Sequence, residues 1–376
     1  MKNKDNKQNS KILINGSYSI LLTVLLLAGL IIVNLIVNHL PVKVTQFDFS
    51  NEKLYTLTDI TTGILKNLDQ DVELYYICEG GKEDDTIQKL LDRYESASSH
   101  IKVEQIDPAL YPGFTSKYTQ EDVANNSVIA VSGDVSKVVN ADSMYVESMN
   151  YNTYSYVKTG FDGEGMITSA VDYVTAKDIP NLYILSGNGE TALGSAFGDV
   201  ISKDNVNPLT LNLMTTDKVP EDADAILINT PTVDYSEEEA QKIIDYLEDG
   251  GKAIIFSNYT VEDMPNFDSI LANYGVEREK GIILEGDSDK YMSYQYCLVP
   301  DISYSAITEN VYGNGSVLAP MSQGILTSDS HRDSITYQPL LTTSDASYSK
   351  EDVENMTTSE KEKGDKSGPF TIGMLI

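Results

Sequence analysis

One short loop in this chain has residue types that could bind an anion. Gly187, Asn188, Gly189 and Glu190 follow a predicted strand at 182–185. Glycines after a strand let the backbone approach a ligand closely, and a following helix N-terminus attracts negative charge. The loop lacks the GxxxxGK[ST] pattern whose amides, lysine and hydroxyl bind phosphate and magnesium. We therefore predict a ligand or partner loop or a tight strand-to-helix turn at Gly187, Asn188, Gly189 and Glu190, and no P-loop.

Cysteine and histidine chemistry has little support in the sequence. A nucleophile needs an adjacent base that a third group orients. Cys78 lies in an apolar predicted strand, Cys297 lies in a YCLVP segment, and no GxSxG elbow occurs. With two cysteines, three histidines and no CxxC pair, a zinc site and a disulfide scaffold are both poor interpretations. We expect no catalytic residue, no bound cofactor and no metal site.

One acidic segment has the alternation of a calcium-binding loop. Glu285, Asp287 and Asp289 occupy alternate positions, but Lys290 and Tyr296 stand where that loop requires glycine and glutamate. The pattern therefore predicts an acidic turn. Paired carboxylates for glycoside cleavage cannot be selected by sequence from 57 acidic residues, so a surface hydrolase of glycans or amides stays open as an alternative.

The composition indicates a globular chain with more than one domain. Single hydrophobic cores stop growing at about 250–300 residues, and this chain has 376 residues, of which 41% are apolar. Its 27 basic and 57 acidic residues give a net charge of −30, which would repel a phosphate backbone. We therefore expect no nucleic-acid partner.

An apolar segment near the start predicts a membrane anchor. Residues 20–37 contain no charge, and that length is enough to cross a bilayer. The preceding tail has one acid, Asp5, against four lysines, which predicts that the N-terminus is cytoplasmic: Lys2, Lys4, Lys7 and Lys11. We assign a cytoplasmic tail to 1–17 and a transmembrane anchor, in contact with lipid, to 18–40. A cleaved signal peptide is the alternative, although the apolar run is long for one.

Beyond the anchor, the chain predicts a first α/β domain at 41–178. Thr58 is a predicted N-cap, followed by an apolar helical stripe that we expect to face inward: Ile60, Ile64, Leu65 and Leu68. Predicted strands at 72–78 and 101–106 flank a second amphipathic helix with its own stripe: Ile87, Leu90, Leu91 and Tyr94. Such a βαβ unit favours a thioredoxin-like layer. Asp162 is a possible cap for a further helix.

The second α/β domain is predicted at 179–376. Ser236 and Glu239 have capping-box spacing, and Gly250 and Gly251 end that helix. We predict strands at 225–228, 252–257 and 282–284, the second of them buried, and a helix at 267–274. Residues 347–368 predict a mobile hydrophilic loop, whereas the apolar residues 368–376 predict a strand that enters a core in a chain truncated at its C-terminus.

Several ordered phrases resemble a known family. They include FDFSNEKLYTLTDITTGIL after the anchor, VEQIDP at 103–108, FDGEGMITSAVDYV at 161–174, LYILSGNGE at 182–190 and AILINTPTVDYSEEEAQKIIDYLEDGGKAIIF at 225–256. Together they resemble the auxiliary components of ABC-type transport systems, a family that includes the gliding-motility auxiliary protein. The turn usually reads Gly-His-Gly-Glu in that family, whereas Asn188 stands here, so a role for the histidine is not carried over.

The resemblance implies a non-catalytic extracytoplasmic subunit in a bacterial cell membrane. Its implied partners are separate ABC permease and ATPase chains. The second domain is similar to amidotransferase-like parallel-sheet folds, yet Asn229, Thr230 and Pro231 occupy the loop where such an enzyme has its cysteine. A surface binding or adhesion module remains a further alternative, because the Tyr-rich segments 145–156 and 291–312 could form a recognition surface.

Overall fold

The computed structural model of this chain describes residues 57–150, 155–328 and 332–376. The predicted tail at 1–17 and the predicted anchor at 18–40 lie outside these residues. Within the described part of the chain, no helix is long and apolar enough to cross a membrane. The chain divides into two compact units, the first ending at Lys177 and the second beginning at Asp178.

The first unit contains a four-stranded sheet with the strand order β2-β1-β3-β4. Strands β1 and β2 are parallel, whereas β3 is antiparallel to both β1 and β4. The elements in chain order are α1 (Asp59–Lys66), β1 (Val72–Ile77), α2 (Asp85–Ala97), β2 (Ile101–Ile106), β3 (Ser127–Ser132), β4 (Val135–Val139), β5 (Tyr145–Asn150), β6 (Ser155–Phe161) and α3 (Gly163–Thr175). The predicted βαβ unit is thus present as β1, α2 and β2. The thioredoxin-like assignment stays a prediction.

Helix α2 forms where its sequence pattern predicts it. The Asp84 carboxylate accepts hydrogen bonds from the backbone of Thr86 and Ile87, which satisfies two donors at the helix start. The predicted stripe is fully buried against the sheet: Ile87, Leu90, Leu91 and Tyr94. Because this face is apolar at helical spacing, its burial is the main source of the stability of α2.

Helix α1 confirms its predicted cap but not its predicted stripe. The Thr58 hydroxyl accepts a hydrogen bond from the backbone of Thr61, and Leu65 is buried. Ile60, however, is 75% exposed, so the expectation that it faces inward is wrong. The buried residues of α1 are Leu65 and Thr61, and the Thr61 hydroxyl lies 2.9 Å from that of Thr168 on α3.

The described residues of the first Tyr-rich segment lie in two paired strands. Strands β5 and β6 are antiparallel from the Tyr145–Phe161 pair to the Asn150–Ser155 pair, with a register shift after Val146. Tyr145 is half-buried against Phe161, whereas Tyr156 is exposed. Asp162 occupies the N-cap position of α3, but its side chain makes no capping hydrogen bond there.

The second unit begins with a four-stranded parallel sheet in the order β10-β9-β7-β8. Its elements in chain order are β7 (Asn181–Leu185), α4 (Ser195–Lys203), β8 (Asn207–Leu211), β9 (Ala225–Asn229), α5 (Glu237–Glu248), β10 (Ala253–Phe256) and α6 (Pro265–Ala272). One face of the sheet packs against α5 and α6, where Ile226, Ile243 and Phe267 are buried together. Helix α4 and strand β8 were not predicted from the sequence.

Strand β10 corrects the prediction of a buried strand at 252–257. It lies at the edge of the sheet, and Ile254 and Phe256 are each 44% exposed. The run of apolar residues does not indicate an edge position. Edge and central strands of a parallel sheet can both be apolar, so the sequence of the strand alone does not distinguish them. Its inner neighbour β9 is buried on both faces at Ile226, Leu227 and Ile228.

The remainder of the second unit consists of short, mostly antiparallel pairs. Its strands are β11 (Val276–Arg278), β12 (Ile282–Leu284), β13 (Cys297–Leu298), β14 (Asp301–Ile302), β15 (Ala319–Pro320), β16 (Ile325–Thr327), β17 (Gln338–Thr342), β18 (Tyr348–Lys350) and β19 (Thr371–Leu375). Strand β12 does not extend the alternating α/β pattern, because it pairs antiparallel with β18, far along the chain. The predicted C-terminal strand is present as β19, which pairs with β17.

The prediction of a mobile loop at 347–368 is wrong at its start. Ser347 and Ser349 are fully buried, and β18 is buried along its length. The Lys350 amino group lies 2.7 Å from a carboxylate oxygen of Glu362 and 2.9 Å from one of Asp365. Because both acids are in the segment that follows, this buried lysine fixes that segment to the strand.

Candidate functional site

The Gly187–Glu190 loop lies at the point where the strand order of the parallel sheet reverses. Strands β7 and β9 are neighbours at the centre, and the connection after β7 leads to β8 on one side, whereas the connection after β9 leads to β10 on the other. In open α/β sheets, ligands bind in the crevice outside the carboxyl ends of strands at such a switch point. The loops after β7 and β9 are therefore the candidate site of this unit.

Two glycines give the loop after β7 its path. Gly187 and Gly189 have φ values of 128° and 69°, which residues other than glycine rarely adopt. A Cβ at position 189 would also overlap the Thr232 hydroxyl, which donates a 3.1 Å hydrogen bond to the Gly189 carbonyl. The glycines therefore allow close contact between the two loops.

Asn188 is buried, with 4% of its surface exposed. Its backbone carbonyl oxygen accepts hydrogen bonds from the backbone N–H groups of Thr232, at 3.1 Å, and Val233, at 3.0 Å. Its side-chain nitrogen donates to Oε1 of Glu239, at 3.1 Å. Through these bonds, Asn188 joins the loop after β7 to the loop after β9 and to the first turn of α5.

Glu239 is a buried residue that caps the start of α5. It forms the predicted capping box: its Oε2 accepts from the backbone N–H and hydroxyl of Ser236, and its own N–H donates to that hydroxyl. Burial by itself would raise the pKa of Glu239. The hydrogen bonds from Ser236 and Asn188 and the charge of Lys242 outweigh burial, so the pKa of Glu239 lies below its usual value.

Tyr235 and Glu190 form the second polar contact across the crevice. The Tyr235 hydroxyl donates a 2.9 Å hydrogen bond to Oε1 of Glu190, while Oε2 of Glu190 accepts one of 2.7 Å from the Asn188 backbone N–H. Burial and the negative charges of Glu190 and Glu239 raise the pKa of Tyr235. Tyr235 therefore stays protonated and acts as a hydrogen-bond donor.

Further along, Thr191 pairs with the end of β9. Its N–H donates to the Asn229 carbonyl at 2.9 Å, and the Asn229 amide returns a 2.7 Å bond to the Thr191 carbonyl. The Thr230 hydroxyl donates to that of Thr191 at 2.7 Å. Thr230 has a φ of 49°, a sparsely populated conformation for a β-branched residue, which these bonds hold in place.

This arrangement favours a structural connection over acid–base chemistry. Asn188, Glu190, Tyr235 and Glu239 hydrogen-bond to one another or to backbone, and the Asn229–Pro231 loop has no cysteine. A glycosidase needs a carboxylic acid with a raised pKa, whereas the pKa of Glu239 is lowered. Tyr235 and the Asn188–Glu239 contact were missed from sequence, although the capping-box spacing had already identified Glu239.

The other residues considered from the sequence lie apart from this crevice. Cys78 is fully buried after β1, where burial raises the pKa of its thiol, and Cys297 is half-buried in β13. In the acidic turn, Glu285 is buried and accepts from the Ser344 hydroxyl at 2.7 Å. Among the described residues, no group of three or more acids, cysteines and histidines could hold a metal ion.

A groove of about 610 Å³ lies at the opposite, amino-terminal edge of the same sheet. It is lined by acids and lysines, among them Asp245, Asp249 and Lys252. Lys242 in its wall already pairs with Glu238 at 2.8 Å and with the Leu213 carbonyl at 3.1 Å. Since its charges have both signs and this lysine is engaged, the groove does not define a ligand class.

Comparison with known proteins identifies the family. Residues 180–375 match the family described as an ABC-type uncharacterized transport system, and residues 51–145 match a domain of unknown function, DUF7088. The chain belongs to this ABC transport family, which confirms the resemblance to its auxiliary components and supports a transport-associated role. The likeness to the gliding-motility protein stays a prediction.

Comparison with solved structures adds no functional information. The N-terminal domain titled mmIFT52 is 14% identical, with 44% of this chain and 74% of that chain covered and a TM-score of 0.34. The NTD_N/C domain of the alkylhydroperoxide reductase AhpF from Enterococcus faecalis is also 14% identical, with 44% and 81% covered and a TM-score of 0.24. No curated protein matches the chain.

Proposed function

We propose that this protein is a non-catalytic auxiliary subunit of an ABC-type transporter that works with separate permease and ATPase chains. The observation that carries the proposal is the family match over 180–375, which covers the parallel sheet and its switch point. The 376 residues contain no P-loop, which supports the assignment of ATP hydrolysis to a separate chain. Together these two observations support an accessory role.

The proposed location is the bacterial cell membrane. The uncharged apolar segment at 20–37 is long enough to span a bilayer, and the lysines before it favour a cytoplasmic N-terminus. Both α/β units then lie on the extracytoplasmic side. Their excess of acidic residues disfavours close contact with anionic lipid, so we expect them to project from the surface.

The switch-point crevice supports a structural part in this function. Its polar side chains bind one another across three chain segments, and the lowered pKa of Glu239 keeps that carboxylate charged rather than available as an acid. The Gly187–Glu190 loop therefore enters the proposal as part of a scaffold. Contact of its exposed glycines with a ligand or a partner stays a prediction.

The decisive experiment is isolation of the transporter. The full chain, with a C-terminal tag, is co-expressed with the permease and ATPase that we expect to be encoded beside its own gene and is extracted in a mild detergent. We expect all three chains to elute together in a constant ratio, and the ATPase activity of the complex to be unchanged by Tyr235→Phe. Elution of the tagged chain without permease and ATPase contradicts the proposal.

A further inference from the structure

A loop of the second unit carries its apolar residues outward and its polar residues inward. In residues 303–315, here the Tyr304 loop, Ser305 and Thr308 are 5% and 7% exposed, whereas Tyr304 and Ile307 are each 62% exposed. Val311 and Tyr312 are also exposed. An ordinary surface loop has the opposite distribution, because buried hydroxyls need partners and exposed apolar groups do not favour contact with water.

The inward hydroxyls hold the loop in one conformation. The Ser305 hydroxyl accepts from the backbone N–H groups of Ile307 and Thr308, both at 3.2 Å. The Thr308 hydroxyl donates to the Ser303 carbonyl at 2.5 Å, and the Thr308 carbonyl accepts from the Tyr312 N–H at 2.8 Å. A loop fixed in this way loses little conformational entropy when its outer side chains bind a partner.

The start of the loop is hydrogen-bonded to strand β17 of the second unit. The Ser303 N–H donates to the Leu340 carbonyl of β17 at 2.8 Å, and the Gln338 side chain donates to the Tyr304 carbonyl at 3.3 Å. The rings of Tyr304 and Tyr312 then lie 5.6 Å apart, edge to face. The exposed surface of the loop thus consists of this aromatic pair together with the side chains of Ile307 and Val311.

Charged residues are rare in the sequence of this loop and of the segment that follows it. From Ile302 to Ser328 the only charged residue is Glu309, whereas 22% of the whole chain is charged. Depletion of charge together with enrichment in tyrosine is characteristic of the central part of protein–protein interfaces. The composition therefore indicates a protein partner.

The charge of the chain decides which protein partner fits. A second copy would bring another net charge of −30 against the first, and an anionic bilayer would be repelled in the same way. We propose that the Tyr304 loop docks into an apolar groove with a basic rim on the extracytoplasmic face of the permease. This inference rests on the proposed function and names the surface that would perform it.

The test compares two variants of the full chain in the co-expressed complex. The double substitution Ile307→Ser and Tyr312→Ser removes the outward side chains and leaves Ser305 and Thr308 intact. Val261→Ser is the matched control, because Val261 is 60% exposed elsewhere in the second unit. We expect the double variant to bind the permease at least tenfold more weakly, as for loss of interface hot spots, and the control to bind as wild type.

The outcomes separate the docking surface from the proposed function. Equal binding of the permease by the double variant and the wild type overturns the assignment of the Tyr304 loop as the docking surface, while the proposed auxiliary role stands. Absence of permease from the wild-type complex overturns both.

Tyrosine footprinting and mass measurement test the other occupants. In the full chain alone, we expect Tyr304 and Tyr312 to be modified readily and to become protected when the permease is present. Protection in the isolated monomer would mean that the chain itself covers the loop. Protection that accompanies a concentration-dependent dimer would assign the surface to a second copy. Protection by detergent-free vesicles of phosphatidylcholine would assign it to lipid. Each of these three results overturns the permease assignment.

Discussion

Asn188 donates a hydrogen bond to the buried carboxylate of Glu239, although the two residues are 51 positions apart in the chain. The bond connects the loop after β7 with the first turn of α5, at the point where the strand order reverses. Because Ser236 supplies the remaining donors, the carboxylate keeps its charge inside the unit. The most polar part of the crevice thus serves to hold the fold together.

Removal of the Asn188 side chain should destabilise the second unit. In Asn188→Ala, Oε1 of Glu239 loses its donor while still buried, which costs about 1–3 kcal/mol. We expect faster hydrogen exchange of the amides in β7 and α5, measured on the full chain in detergent. Asn258→Ala is the control, because Asn258 is exposed. Unchanged exchange in Asn188→Ala would show that the bond contributes nothing.

Glu239 should make the stability of the second unit depend on pH. Burial acts to raise its pKa, but the hydrogen bonds from Ser236 and Asn188 lower it below the unfolded value of about 4.3. Its stabilising contribution is therefore complete above about pH 4.3 and is lost as the pH falls through the folded pKa.

Glu239→Gln tests this dependence with little change of shape. Glutamine also fits a capping box, so we expect a loss of about 1 kcal/mol near pH 7, where the charge at the helix start is removed. The difference from wild type should narrow below about pH 4. Unfolding free energies from hydrogen exchange at several pH values provide the measurement, and a pH-independent difference would refute the role of the charge.

Lys350 should hold the segment from residue 351 to 366. In Lys350→Met, Glu362 and the largely buried Asp365 lose their cation, and breaking such a buried pair costs about 3 kcal/mol. We expect faster proteolysis between residues 351 and 366 and faster exchange in β18. Lys363→Met is the control, since Lys363 is exposed. Equal proteolysis of the two variants would contradict this function of Lys350.

The sequence was sufficient where structure depends on local contacts. The capping box of Ser236 and Glu239 and the stripe from Ile87 to Tyr94 are set by residues three to seven positions apart, and both are present. Their physical causes, hydrogen bonds at a helix start and an apolar face at helical spacing, can be read within one window of the chain.

The sequence was insufficient where the partner lies far along the chain. Ile60 is exposed while the adjacent Thr61 pairs with Thr168, and Ile254 is exposed on β10, which has a neighbour on one side only among the described strands. Strand β12 likewise pairs with β18. The periodicity of a short sequence window does not predict these long-range pairings. The Asn188–Glu239 bond was missed for the same reason.

The two cysteines should react at different rates. Cys78 is fully buried and burial raises the pKa of its thiol, so it forms little thiolate at pH 8, whereas Cys297 is half-buried. With iodoacetamide, we expect prompt labelling of Cys297 in the native protein and of both cysteines in urea. Cys297→Ser should abolish the fast reaction. Fast labelling of Cys78 in that variant would contradict the burial of the thiol.

The segment at 18–40 should retain the protein in the membrane. Deletion of 1–40 removes the uncharged apolar run at 20–37, which is long enough to span a bilayer, so we expect the protein to move from the carbonate-resistant membrane pellet to the soluble fraction. Deletion of 1–17 alone is the control, because it keeps the apolar run, and this variant should remain in the pellet.

The intact mass then separates an anchor from a cleaved signal peptide. A retained anchor gives the mass of the whole chain, 41.4 kDa, whereas cleavage after the apolar run gives a product that lacks about its first 40 residues. We expect the full mass in the membrane fraction. A shortened protein that is found only outside the membrane would refute the anchor. In that case the segment at 18–40 would not hold the second unit at a high local concentration beside the transporter.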